Sequence, residues 1–376
     1  MKKIAFFSTL LLLSALSAGA QDSVGYQFTK VVSVPTTPVK NQASSGTCWC
    51  FASTSFIESE LLRKGKGEHD LSEMYVVRTK YGQQLDDNYL RRGRGNIGQG
   101  SIGHIYLRAW DKGGVVPEEV YSGINYDSKT HNHGELTTYL SAIADGAIKL
   151  KKRSPEYEKL VNSLFDIYFG QVPEKFTYQG KEYTPQSFAK SLGINTGDYV
   201  ELTSFTHHPF YEEFQLEIPD NWDNASMYNL PLDELMQTID NALTTGYTVC
   251  WDGDVSEKGF SHANGVAILP ATNDKEELEE IYKFKAPADE AEVTQENRQK
   301  DFENFTTTDD HLMHLTGIVK DQNGKKYYVT KNSWGTERNK NGGYLNMSEP
   351  YVRAKTVSVM LHKDAIPTPI RKKLGI

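Results

Sequence analysis

Between Cys48 and Lys64, Phe51, Phe56, Ile57, Leu61 and Leu62 recur at roughly helical spacing, with Glu60 and Lys64 as an i,i+4 pair. The pattern predicts a helix that starts at Cys48. A second helix is predicted from about Ser101 to Lys112, after the Gly-rich stretch Gly93–Gly103, and Gly113-Gly114 stops it. From about Asn125 to Asn229 the chain reads as a helical section. Within it, Ser154-Pro155 and Thr184-Pro185 each join an N-cap residue to a proline at the first helical position. Leu232, Leu235, Met236, Ile239 and Leu243 then share one face of a helix ended by Gly246, and Tyr247–Trp251 reads as a strand. Leu312–Val319 and Lys326–Thr330 flank Asp321-Gln322-Asn323-Gly324, where Asn-Gly between strand-like runs signals a hairpin. Helices come first and strands last, with helices inserted between, which predicts an α+β chain of two lobes.

The first twenty residues follow a different pattern. Lys2 and Lys3 precede a short apolar run, Ile4 to Leu16, and Ala18-Gly19-Ala20 supplies the small-x-small pattern of a cleavage site before Gln21. Residues 1–20 therefore read as a secretory signal peptide and 21–376 as the mature chain, exported to a bacterial periplasm or the extracellular space. The apolar run is short of the ~20 residues a membrane span requires, so no membrane association is expected once the signal is removed.

Composition narrows the function. The 376 residues carry a formal charge of −8, which argues against nucleic acid as a partner. Much of that acidity sits in residues 274–310, with 13 acids against 5 bases, expected to be a solvated excursion. Arg91, Arg92 and Arg94 read as a solvated turn. Three cysteines are too few for a disulfide scaffold, and an odd number leaves a thiol free.

Three stretches carry candidate chemistry. In Asn41-Gln42-Ala43-Ser44-Ser45-Gly46-Thr47-Cys48-Trp49, Cys48 would occupy the first turn of a helix, where the dipole favours a thiolate nucleophile. Gln42, six residues earlier, could join the Cys48 backbone N–H in holding an oxyanion. In Asp309-Asp310-His311-Leu312-Met313-His314, a histidine enters a buried strand from a polar segment, as a base would. In Lys331-Asn332-Ser333-Trp334-Gly335, the Asn oxygen can fix an imidazole tautomer while the indole shields that bond.

Together these stretches resemble the papain-like cysteine peptidases. Gln-x5-Cys-Trp, a His opening a strand and Asn-Ser-Trp-Gly occur here in that family's order. Leu71-Ser72-Glu73-Met74-Tyr75, Asn96-Ile97-Gly98-Gln99-Gly100 and Gly342-Gly343-Tyr344-Leu345 match further segments. The helical insertion, Asp310-His311-Leu312-Met313, and Ser45 at a place where secreted members commonly carry a disulfide cysteine are most similar to the bleomycin hydrolase (aminopeptidase C) branch. The resemblance implies a papain-like two-lobe fold, a helical lobe and a β-barrel-like lobe. It implies catalytic Cys48, His311, Asn332 and Gln42, with Gly98 and Trp334 at the substrate. No cofactor and no metal is implied, and the partner is a peptide substrate. The implied activity is aminopeptidase action; endopeptidase or dipeptidyl-peptidase action, a non-catalytic binding protein and acyl transfer stay open. The branch's C-terminal arm is expected to be short here, because only the start of that region matches, and homo-oligomer formation is left open.

Three histidines compete for the base. His262, in Ser261-His262-Ala263-Asn264, mimics the family's His-Ala pair but lies 70 residues before Asn332. His311 has Gly317 six residues on, as the family's histidine does, and is preferred. His314 would point to the opposite face of the strand. A zinc site from His311, His314, Asp309 and Asp310 lacks a metal-motif spacing. His131, His133, His207 and His208 read as solvent-facing loop residues. Cys50 and Cys250 read as buried thiols, with a bridge between them the alternative.

Overall fold

The computed structural model describes residues 25–376, so the signal peptide read in residues 1–20 lies outside the described residues. After strand β1 (Phe28–Ser33) come helices α1 (Cys48–Arg63), α2 (Glu73–Leu90), α3 (Gly103–Gly113), α4 (Gly134–Leu150) and α5 (Pro155–Phe169). A hairpin, β2 (Phe176–Tyr178) and β3 (Lys181–Tyr183), leads to α6 (Pro185–Leu192), β4 (Tyr199–Thr203), β5 (Glu213–Gln215) and β6 (Ser226–Asn229). Next are α7 (Leu232–Thr244), β7 (Val249–Gly253), β8 (Phe260–Ser261), β9 (Val266–Ala267), α8 (Lys275–Ile281) and α9 (Gln295–Glu303). The chain closes with β10 (His311–Asp321), β11 (Lys326–Lys331), β12 (Tyr344–Ser348), α10 (Glu349–Lys355), β13 (Thr356–His362) and α11 (Thr368–Leu374).

The two largest cores belong to the two lobes. One packs Trp49, Phe56, Leu71, Tyr81, Ile105, Leu136, Phe165 and Phe188 among α1–α6. The other packs Leu235, Ile239, Trp251, Leu315, Tyr328, Leu345 and Val359 between α7 and a mixed sheet. That sheet runs β5-β6-β4-β13-β7-β10-β11-β12-β9-β8, with β1 also on β10. The expected two-lobe α+β architecture is what forms.

Helix α1 lies against both lobes. Nearly every residue from Cys48 to Leu61 is buried, so it has no solvated side. Its carboxylates are satisfied internally. Glu58 accepts from Thr37 Oγ1 (2.5 Å) and the Leu71 N–H (2.8 Å), and Glu60 pairs with Arg63 rather than Lys64. A buried carboxylate requires such donors, and these tie the helix into position.

Within the stretch from Asn125 to Asn229 the β2–β3 hairpin interrupts the helices, and the last of them ends at Leu192. Beyond it β4 pairs antiparallel with β13, and β6 pairs parallel with β4. Those short strands depend on the edge that β13 offers, a partner far along the chain. The acidic stretch is also only partly solvated. Helix α8 is exposed, but Phe284 and Val293 are buried and the Arg298 guanidinium is sealed in. Arg298 donates to the carbonyls of Ser204 (3.0 Å) and Arg353 (3.1 Å). No helix among the described residues is long and apolar enough to cross a membrane.

Candidate functional site

Cys48 is the first residue of α1, with Thr47 at the N-cap, so its thiol meets the positive end of the helix. On the facing lobe, β10 starts at His311, and the Leu312 backbone N–H is directed at the Cys48 thiol. His311 therefore opens the strand beside the sulfur. Its Nε2 donates to Asn332 Oδ1 at 2.8 Å. Asn332 follows β11, and its Nδ2 donates to His262 Nδ1 at 3.2 Å, which fixes which end of the amide faces His311. With Nε2 carrying the proton, His311 Nδ1 is left as the basic nitrogen. The Trp334 indole lies 4.7 Å from the His311 ring and covers this pair.

Gln42 joins the lobes. Its Oε1 accepts from Ser333 Oγ at 2.6 Å, its Nε2 donates to Ser45 O at 2.7 Å, and its backbone N–H donates to Ser333 O at 2.8 Å. One Nε2 hydrogen is left over for a ligand. Gly98 lies in the loop between α2 and α3, where its carbonyl accepts from Lys80 Nζ at 2.7 Å. The next residue fastens that loop to the Cys48 loop. Gln99 Oε1 accepts from the Gly46 N–H (2.7 Å), and its carbonyl accepts from Trp49 Nε1 (3.0 Å).

Burial sets the charges. It pushes the Cys48 thiol up to about 12, against the Leu312 N–H, and nearby Asp252, Asp220 and Asp309 add to the rise. It draws His311 down to about 4, which the Asn332 hydrogen bond resists and His262 reinforces. Each group alone is thus held neutral. The helix N-terminus and the Leu312 N–H favour the thiolate, and the Asn332 hydrogen bond favours the imidazolium.

The other histidines sort themselves by their partners. His314 turns to the opposite face of β10, fully buried, with Nδ1 at 2.9 Å from Ser55 Oγ. It therefore does not converge with His311 on a metal. His262 is not the strand-opening histidine, but it buttresses Asn332 and lies 5.1 Å from the Trp334 ring. Its sequence setting marks it only as a rival base. Ser333, which holds Gln42, carries no signal in the sequence beyond its place inside the Asn-Ser-Trp-Gly run. His131 and His133 are buried, contrary to the expectation of solvent-facing loops. Burial lowers them to about 4 and about 3. His207 and His208 do lie at the surface and share Glu217 at 3.0 and 2.7 Å, a grouping with metal-ligand proximity. Gln299 Nε2 donates to His207 Nδ1 at 3.0 Å, so the His207 proton is on Nε2, the nitrogen a metal would need. The three cysteines are free: Cys50 Sγ donates to Glu73 O, and Cys250 Sγ lies by Ser53 Oγ.

Comparison with known proteins identifies the family and the fold. Residues 104–375 match the model of the Peptidase C1-like family, and residues 28–167 match that of the papain family cysteine proteases. Aminopeptidase G of Lactobacillus delbrueckii subsp. lactis is 24% identical over 398 residues, spanning 93% of this chain and 86% of that protein. Aminopeptidase C of Lactococcus lactis subsp. cremoris is 23% identical, spanning 88% of this chain and 81% of that protein. The crystal structure of PepW from Lactobacillus rhamnosis superimposes with a TM-score of 0.71 at 19% identity, over 92% of this chain and 84% of that one, which establishes a shared fold. With the family model spanning most of the chain and a cysteine, a histidine and an asparagine set at its lobe junction, the chain belongs to the Peptidase C1-like family and is a cysteine-type peptidase of papain-like fold.

Proposed function

We propose that the chain is a thiol aminopeptidase in which Cys48, His311, Asn332 and Gln42 perform the chemistry. The observation that carries the assignment of roles is the His311–Asn332 hydrogen bond at the start of β10, beside the Cys48 thiol. The aminopeptidase reading is supported by the relatives named aminopeptidase G and C.

The steps follow from the placement of donors. The Cys48 proton passes to His311 Nδ1 as Sγ attacks the peptide carbonyl, so neither charge stands alone in the buried site. The carbonyl oxygen, now an oxyanion, takes the Cys48 backbone N–H and the spare Gln42 Nε2–H. His311 returns the proton to the leaving amine, the C–N bond breaks, and a thioester remains. His311 then deprotonates a water that attacks the thioester, and the Cys48 thiol is regenerated with the proton. Asn332 holds the imidazole in the required tautomer, and Trp334, which is 37% exposed, keeps bulk water from that bond while presenting an apolar wall to the leaving portion of the substrate. We assign Gly98 to the acyl portion because its loop is fastened to the Cys48 loop through Gln99.

The signal-like leader extends the proposal to an exported enzyme. Incubation with a peptide library, each member free or acetylated at its N-terminus, tests the reading. Stepwise loss of N-terminal residues, abolished by Cys48→Ala and blocked by an epoxide that alkylates Cys48, is the expected result. Full turnover by Cys48→Ala refutes the mechanism, and internal cuts alone refute the exopeptidase reading.

A further inference from the structure

The leaving amine must lie towards His311 and Trp334, so the acyl portion of a substrate runs the other way, past Gln99 and Leu312. That side is lined by carboxyl groups. Asp252 lies on β7 directly across from Leu312. Asp309, two residues before His311, sets its carboxyl against that of Asp252. Asp220 comes from the connection between β5 and β6, with its backbone N–H facing the Asp309 carboxyl. The charges of all three are felt at Cys48.

Two independent features distinguish this group from an ordinary acidic surface. First, two of its oxygens have no donor from outside the group. Asp252 is 1% exposed, yet its Oδ1 has no hydrogen-bond partner, and neither has Asp309 Oδ2. Buried polar atoms are nearly always paired, so a buried carboxylate oxygen without a donor marks a place for one. Lys80, the nearby cation, donates instead to the Gly98 and Gln99 carbonyls at 2.7 and 3.2 Å. Second, the segment that carries Asp220 closes the cleft at this end. Pro219 O accepts from Asn96 Nδ2 at 3.0 Å, and Trp222 Nε1 donates to Ser101 Oγ at 2.9 Å. Asp220 packs so tightly on Gly100 that a Cβ there would collide with its carboxylate. Helix α11 takes no part in this wall, since it is seated on α7 through Lys373–Glu234 and buried Leu374.

We propose that Asp220, Asp252 and Asp309 form the subsite for the free α-ammonium group of a peptide, so that the chain seats its substrate by the N-terminus. This rests on the peptidase reading above and names what makes it an exopeptidase. An ammonium group offers donors to both of those oxygens, and the Asp220 segment is held at that end of the cleft by its bonds to Asn96 and Ser101. Burial and then repulsion from neighbouring carboxyls raise Asp252 and Asp309, the latter to about 7, while burial raises Asp220 against the pull of Lys80, so the group is poised to ionise when a cation arrives.

The test compares kcat/KM for aminomethylcoumarin amides of three kinds: a free N-terminus, the same peptide acetylated, and an acetylated peptide with lysine second before the scissile bond. Wild type is compared with Asp220→Asn and Asp309→Asn, each checked for an unchanged melting temperature. The expected result is a wild-type preference for the free amine that falls by roughly 10- to 100-fold in each variant, through KM, as loss of a charged hydrogen bond predicts. An unchanged preference in both variants overturns the proposal, and so does an equal loss on free and acetylated peptides. Preference for the acetylated lysine peptide, lost in the variants, also overturns it by assigning the cluster to a side-chain ammonium. Absence of any wild-type cleavage, together with a Cys48 that iodoacetamide does not modify, refutes the peptidase reading itself and the subsite falls with it.

Discussion

Replacing Asn332 with Ala isolates the contribution of one hydrogen bond to the chemistry. Asn332 is 2% exposed. Its Oδ1 accepts from His311 Nε2 at 2.8 Å and from the Ser333 N–H at 2.7 Å. Without it, the His311 Nε2–H has lost its acceptor in a buried site. A hydrogen bond to a charged group is worth about 1.5–3 kcal/mol, and His311 is charged when the oxyanion forms, so kcat should fall about 10- to 150-fold. The pH profile gives the sharper readout. The bond favours the protonated imidazole and already opposes the burial that lowers His311 to about 4. Removing it lowers that pKa further. Activity on the alkaline side ends where the imidazolium of the ion pair loses its proton, so that limb should move to lower pH by about 1–2 units. The assay is kcat against pH, from about pH 4 to pH 10, on an aminoacyl aminomethylcoumarin, with the melting temperature recorded alongside. A kcat within about threefold of wild type, or a lower kcat with the alkaline limb unmoved, would refute the reasoning.

Gln42→Ala removes an oxyanion donor and should lower kcat by roughly 100- to 1,000-fold with a smaller effect on KM; steady-state kinetics that show only a KM change would assign Gln42 to lobe docking alone. His262→Ala removes the acceptor for Asn332 Nδ2 and should cost about 2- to 10-fold in kcat, and a loss as large as that of Asn332→Ala would make His262 a participant in the chemistry. His104 anchors the segment that follows Asp220: burial opposes its charge, but Glu201 (2.7 Å) and Asp223 (2.9 Å) outweigh burial and raise it to about 9. Because the folded pKa lies above the unfolded one, this stabilisation, on the order of 3 kcal/mol, is complete below about pH 6.5 and disappears as the pH rises through 9. Urea unfolding should show the wild type losing more stability than His104→Gln between about pH 6 and pH 10, and parallel losses would contradict the assignment.

The parts of the fold that could be read from the chain alone are those set by local physics. Helical spacing after Cys48, the stop at Gly113-Gly114 and the turn around Asn323-Gly324 depend on side-chain periodicity and backbone freedom, and the elements formed close to where these signals place them. Gln42, Cys48, His311 and Asn332 were legible because each sits in a short run whose residue order mirrors its task. Other features were not, for identifiable reasons. Helix α1 carries the charged residues Glu58 and Glu60, which composition would leave in water, yet both are buried, because Thr37, the Leu71 N–H and Arg63 supply donors. The strands β4–β6 were missed because an edge strand exists only where a distant strand offers unpaired hydrogen-bonding groups. His131 and His133 look like loop residues by composition but are covered by the helical lobe.

What the sequence alone determined is the set of reactive groups and the local elements that present them: a thiol at a helix start, an imidazole at a strand start, an amide after a strand. The sequence already favours His311 through Gly317, and the tertiary structure adds the contacts that separate the three histidines: His311 bonds the Asn332 oxygen, His314 turns to Ser55, and His262 backs the Asn332 amide. Only the tertiary structure decided that Asp220, Asp252 and Asp309, from three separate segments, share one end of the cleft. Their proximity comes from the packing of the insertion on the glycine loop and the pairing of β7 with β10. Charges separated that far along a chain are held together only by the folding that buries them, so no local pattern records the subsite they form.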